Sequence, residues 1–162
     1  MNLSSVSRRD LRLSVEELLA AYATCLDEGR LEEWPGFFTE NCLYRIVSRE
    51  NWDRGLPLAA WLSESRGMLQ DRVTALRQAN VYGPRYLRHL VSSVQITGVE
   101  NGKVRAQSNF AILQTLQDDE TRVFLSGKYV DVLVAAGEGL VFAEKHCVYD
   151  TLRIPNSIVF PV

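Results

Sequence analysis

With two histidines in 162 residues, this chain holds few groups suited to acid-base or metal chemistry. His89 and His146 with either Asp131 or Asp150 satisfy the arithmetic of a two-histidine-one-carboxylate iron site, but their spacing matches no compact ligand motif. His146 falls in the middle of a strand-like run, where a hydrogen-bonded core or interface histidine is the commoner role. His89 ends the run Arg85-Tyr86-Leu87-Arg88-His89, whose two arginines and tyrosine could grip a carboxylate-bearing partner or line a subunit-contacting edge. A general base is the other option: Tyr22, Asp27, Tyr44, Asp131, His146 and Asp150 could converge in one pocket, where a single carboxylate with a raised pKa would suffice for proton abstraction. Nothing in the spacing forces that convergence. Asp27 stands near a helix C-terminus, where the dipole disfavours a negative charge, so it is expected to have a specific partner such as an arginine. The chain contains no G-x-S-x-G, Walker phosphate loop, G-x-G-x-x-G or H-E-x-x-H sequence. Cys25, Cys42 and Cys147 are odd in number, scattered and without a C-x-x-C pair, and read as small core residues.

The segments that would carry these side chains are helices first and strands afterwards. Residues 1 to 13 are polar and basic and read as a flexible arm; residues 14 to 162 read as a single α+β domain. Ser14-Val15-Glu16-Glu17 has capping-box spacing and predicts a helix start, with Val15, Leu18, Leu19, Tyr22 and Leu26 on one stripe and Gly29 as its stop. A shorter helix is expected over Arg30 to Phe38, with Trp34, Phe37 and Phe38 facing the core, then a strand from Cys42 to Arg49 and a loop from Asn51 to Gly55. Leu62, Leu69, Val73 and Leu76 predict a long helix from Leu58 to Gln78. Gly83-Pro84 closes the connection to a strand over Tyr86 to Thr97, and Asn101-Gly102 is a hairpin signal. Beyond it, Val104, Ala106, Ser108, Phe110 and Ile112 alternate with polar residues at period two. Two more runs follow, Val123 to Val134 and Leu140 to Val148, divided by Asp118-Asp119-Glu120 and Gly137-Glu138-Gly139. The result is an antiparallel meander of long strands that must curve to bury one face. The sparsely charged tail, Ile154 to Val162, is expected to dock across the sheet or into a neighbouring subunit.

A net charge of −2 with 23% charged residues provides no field to gather nucleic acid or a membrane surface. No apolar run approaches the roughly 20 residues of a membrane span, and MNLSSVSRRDLRLS lacks the apolar centre of a secretion signal. A cytoplasmic protein without nucleic-acid or membrane partners is expected.

Leu26-Asp27-Glu28-Gly29-Arg30-Leu31-Glu32-Glu33-Trp34, followed by Phe37-Phe38-Thr39-Glu40 and Tyr44, resembles the N-terminal signature of the small (β) subunits of aromatic-ring-hydroxylating dioxygenases. Arg88-His89-Leu90-Val91-Ser92-Ser93-Val94, Ser108-Asn109-Phe110, Gly127-Lys128-Tyr129-Val130-Asp131-Val132-Leu133 and Tyr149-Asp150 extend the likeness over nearly the whole chain. Arg49-Glu50-Asn51, Gly55-Leu56-Pro57-Leu58, Asp71-Arg72-Val73 and Ile154-Pro155-Asn156-Ser157 look closest to the branch serving salicylate hydroxylases and terephthalate dioxygenases. His89 and Ser93 depart from it, standing where many members have arginine and asparagine.

The resemblance implies a curved-sheet cone of the nuclear transport factor 2-like type, with helices in the concave face of an antiparallel or mixed sheet. It also implies a β trimer capping a trimer of large α subunits, each α carrying a Rieske [2Fe–2S] cluster and a mononuclear Fe(II), while the β chain has no cofactor and no catalytic residue. Two histidines and three dispersed cysteines could not supply both metal sites. Arginine and aromatics are enriched at interface cores, which makes Trp34, Arg45, Trp52, Arg85, Tyr86, Arg88 and His89 the interface candidates. The rival expectation is a stand-alone isomerase or dehydratase of the same cone fold, with an open pocket and a buried carboxylate near His146 or Tyr22.

Overall fold

The structure is a computed structural model that describes residues 3, 6–78, 83–151, 154 and 158–162. Helix α1 spans Arg8–Asp27. Its N-cap is Ser7, whose Oγ accepts from the Asp10 backbone N–H at 3.1 Å, so the cap falls seven residues before the expected Ser14. The apolar stripe explains the difference: Leu11 lies one turn before Val15 on the same face and is buried with it, so residues 8 to 13 belong to the helix rather than to an arm. At the other end Gly29 takes a φ of +68°, and the bonds Arg30 N–H to Cys25 O and Gly29 N–H to Leu26 O form a Schellman cap.

The expected second helix shrinks to one 3₁₀ turn, Trp34–Phe37, before strand β1, Phe38–Ser48. Its core assignment survives: Trp34 and Phe38 are fully buried, and Trp34 meets Phe38, Tyr44 and Trp61 edge to face at centroid distances of 5.6, 5.2 and 6.2 Å. The expected loop after β1 is instead a short helix, α2, Arg49–Asp53, capped by the Ser48 side chain. The expected long helix from Leu58 divides into β2, Trp61–Ser63, and α3, Arg66–Gln78. Period two governs its first part, because Trp61 and Ser63 are buried while Leu62 is 47% exposed. Ser65 then starts α3, accepting from the Met68 N–H.

The remaining strands are β3, Arg85–Glu100; β4, Lys103–Leu116; β5, Arg122–Ala136; and β6, Gly139–Tyr149. They join β1 and β2 in a six-stranded sheet of order β2-β1-β6-β5-β4-β3, antiparallel except where β1 meets β6. The Asn101-Gly102 turn has the two positive φ angles, 51° and 71°, that a tight hairpin demands. Bulges bend the long strands: β3 slips between Ser92 and Gln95, with Ser93 at φ 56°, and β6 slips between Phe142 and Glu144 opposite Val132 and Leu133. Helix α1 lies against β3 and β6 within the curve, and α3 packs near β1. This is the α+β cone expected from the sequence.

Candidate functional site

The interior of the cone contains a buried ion pair that the strand alternation conceals. Before the β6 bulge Leu140 and Phe142 point inward; after it the inward residues are Lys145, Cys147 and Tyr149, and Glu144 and His146 turn outward. Lys145 is fully buried, stands opposite Asp131 on β5, and places Nζ 3.4 Å from Asp131 Oδ1. Three rings surround the ammonium, with Nζ to centroid distances of 3.4 Å for Tyr129, 4.6 Å for Phe142 and 4.7 Å for Tyr22. Burial pushes the Asp131 carboxyl up to about 6, the Lys145 charge opposing it.

Beside this pair the end of the described chain fills the cone. Tyr22 Oη donates to the Val162 backbone oxygen at 2.8 Å, Tyr44 Oη donates to it at 3.2 Å and accepts from the Val162 N–H at 2.8 Å, and the Cys147 thiol donates to the same oxygen at 3.3 Å. Burial raises the pKa of both tyrosines well above the ordinary phenol value and pushes the Cys147 thiol up to about 12, so all three are neutral donors. Val159, Pro161 and Val162 are buried, and the void beneath them is about 10 Å³, room for one water molecule at most. The tail therefore docks on its own sheet; residues 155–157 of it lie outside the described residues.

Of the six groups considered for a pocket, Tyr22, Tyr44 and Asp131 share this interior, Asp27 borders it through His89, and His146 and Asp150 lie outside it. Asp27 is satisfied by His89 rather than by an arginine: Oδ1 lies 2.6 Å from Nδ1, and the His89 N–H donates to both carboxylate oxygens at 3.1 Å. The carboxylate thus locks the ring against α1. His146 is on the outward face, its ring centroid 5.1 Å from that of Trp52 and Nε2 3.4 Å from Glu144; burial lowers its pKa despite Glu144. Asp150 is exposed and pairs with Arg49 at 3.2 Å. His89 faces inward and His146 outward, so the two cannot share one iron, and among the described residues no group of three or more His, Cys, Asp or Glu could hold a metal ion. All three cysteines are free and buried. No helix among the described residues is long and apolar enough to cross a membrane.

The seven interface candidates separate by burial. Trp34 and the His89 ring are core, so neither can meet a partner at the surface. Arg45 is half-buried and donates to Leu56 O, Trp52 is half-buried against His146, and Arg85 lies over the Phe160 ring. Tyr86 is 73% exposed, and Arg88 is exposed beside it. They share the outer face of β3 with Leu90, 55% exposed, and across β4 that face continues to Val123, 60% exposed.

Between α1 and β3 a cleft of about 310 Å³ is lined by Leu19, Ala23, Asp27, His89, Val91 and Val94, and comparison with known proteins supplies what this geometry alone does not. The family model described as ring hydroxylating beta subunit matches residues 21–156. The anthranilate 1,2-dioxygenase small subunit of Burkholderia cepacia is 39% identical over 141 residues, 87% of this chain and 88% of that one. Subunit beta 2 of the terephthalate 1,2-dioxygenase terminal oxygenase component of Comamonas sp. is 33% identical over 143 residues, 88% of this chain and 93% of that one. The crystal structure of a β subunit assigned to an aromatic-ring-hydroxylating dioxygenase of Novosphingobium aromaticivorans superposes with a TM-score of 0.86 at 42% identity, covering 95% of this chain and 98% of that one. Its cone is of the nuclear transport factor 2-like kind, and small subunits of this kind imply a large-subunit partner. A sheet closed on its own tail, matched in sequence and shape along most of its length, belongs to the β subunits of the aromatic-ring-hydroxylating dioxygenases.

Proposed function

We propose that this chain is the structural subunit of a cytoplasmic terminal oxygenase that oxidises an aromatic carboxylate. The large partner subunit carries the Rieske [2Fe–2S] cluster and the mononuclear Fe(II), and three small chains assemble with three large ones. Its task is to hold large subunits in register, so that electrons leaving one subunit's cluster reach the neighbouring subunit's iron. The observation that carries this reading is the plugged cone: Tyr22, Tyr44 and Cys147 all bond to Val162, and in the larger cleft of about 310 Å³ between α1 and β3 the Asp27 carboxylate is spent on His89. The stand-alone isomerase or dehydratase needs an open pocket at this place. Its required carboxylate does exist in Asp131, but that group is spent on Lys145. The donor sets support the same division of labour, since the two histidines lie on opposite faces of the sheet and the three thiols are buried. Anthranilate and terephthalate, named for two relatives, are both aromatic carboxylates and favour that substrate class.

The test is coexpression with a Rieske-type large subunit, followed by native mass spectrometry. A complex of three large and three small chains is expected; a small chain that stays monomeric and leaves the large subunit unbound overturns the proposal.

A further inference from the structure

Three hydrogen-bond donors from three elements meet at one oxygen inside the cone. Tyr22 on α1, Tyr44 on β1 and Cys147 on β6 donate to the Val162 oxygen at 2.8, 3.2 and 3.3 Å, and Tyr44 Oη accepts the Val162 N–H at 2.8 Å. All three side chains belong to residues no more than 1% exposed. Phenylalanine at either tyrosine position would pack the same space without taking a hydroxyl out of water, so these polar atoms answer to an oxygen rather than to packing. Three donors exceed by one the two lone pairs of a carbonyl oxygen, and they suit a carboxylate oxygen equally well.

The segment that supplies this oxygen is lightly held. Residues 158–162 belong to no helix or strand, and among the described residues every hydrogen bond they make is at Val162. Val159, Phe160 and Pro161 add apolar packing, sharing the lining of a small void with Leu87, Ile112 and Phe124. Ile158 and Phe160 stay half-buried. A segment without ladder bonds opens at a lower free-energy cost than the strands beneath it, so it undocks while the sheet remains folded.

We infer that the three donors form a binding site for a small apolar molecule carrying a carboxylate or carbonyl oxygen, occupied by the chain's own residues 158–162, which such a molecule displaces. The ligand class follows from the donor set. The site offers three donors and one acceptor, the Tyr44 oxygen, so an ammonium of the same shape finds one partner and strands the donors. The tail is tethered beside its site at an effective concentration on the order of millimolar, so a competing molecule must be supplied at that level or above. The inference stands on the interior alone and is independent of the subunit reading.

The experiment follows amide hydrogen exchange of Val162 by NMR in the unaltered full chain. Isovalerate and isovaleramide carry the valine skeleton with a carboxylate and a carbonyl oxygen, and isopentylamine carries it with an ammonium. A compound that captures the undocked state raises Val162 exchange in proportion to its concentration, about tenfold at about ten times its dissociation constant for that state. Leu133, within β5, keeps its rate. Acceleration is expected with isovalerate, isovaleramide or both, and not with isopentylamine. Tyr22→Phe with Tyr44→Phe should cut the response about tenfold, and Val162→Ala, which weakens the packing of the tail, should move it to lower ligand concentration. Exchange indifferent to all three compounds, acceleration by isopentylamine equal to that by isovalerate, or a response undiminished in the double variant each overturns the inference. Should the double variant fail to fold, the three titrations of the unaltered chain decide the matter by themselves.

Discussion

Replacing Asp131 by Asn tests whether the cone interior is held as the geometry indicates. The change keeps the side-chain shape and removes the carboxylate bridging Lys145, whose ammonium is fully buried 3.4 Å away. At that separation and an effective dielectric near 20, the attraction is about 5 kcal/mol. The rings of Tyr129, Phe142 and Tyr22 retain part of the stabilisation of the stranded cation, about 1 to 2 kcal/mol. The single variant should therefore lose about 3 kcal/mol, in line with the cost of leaving one half of a buried pair behind. Adding Lys145→Met removes the stranded charge and should bring stability back to within about 1 kcal/mol of the parent. Urea unfolding followed by circular dichroism measures all three. A single variant less than about 1 kcal/mol weaker than the parent, or a double variant as weak as the single one, refutes the buried pair.

Two further substitutions probe the framework. A Cβ at Gly127 would lie 2.0 Å from the Val148 carbonyl oxygen on the paired strand, so Gly127→Ala must part β5 from β6. It should cost more than about 3 kcal/mol or abolish soluble expression, and a parent-like melting temperature would contradict the close approach. Asp27→Ala leaves both the His89 backbone N–H and Nδ1 without their acceptor, and should cost about 3 kcal/mol in urea unfolding. An unchanged midpoint would mean that α1 and β3 are not joined through this carboxylate.

The meander was legible because each local signal agreed with the global fold. Asn101-Gly102 took the expected hairpin, and Val104 through Ile112 buried the alternate residues that the period picked out. The α1 start was missed because Ser14-x-x-Glu17 is a good cap in isolation, whereas burial of Leu11 makes the earlier Ser7 the better one. Propensity likewise favoured one helix through Leu58 and Leu62, and pairing of Trp61 with Ile46 across the sheet overrode it. Tyr22, Tyr44 and Asp131 were named from the sequence as possible neighbours, and they do share the interior. Lys145 was not, since unbroken alternation from Leu140 puts His146 inside and Lys145 out. The spacing Leu140, Phe142, Lys145, Cys147, Tyr149 contains the bulge, but reading it requires accepting a buried lysine, which only its aspartate and three aromatic rings make tolerable. The partner of Asp27 was equally hidden, because the bond spans 62 residues and joins a helix end to an edge strand.

Iron content and turnover, measured on the purified chain alone and on its complex with a large subunit, address the structural role most directly. The isolated chain should contain no stoichiometric iron and leave anthranilate, terephthalate and benzoate untouched, while the complex, given reductant and O₂, oxidises an aromatic carboxylate. One iron per isolated chain, or turnover by the isolated chain that Asp131→Asn abolishes without unfolding it, would contradict the account.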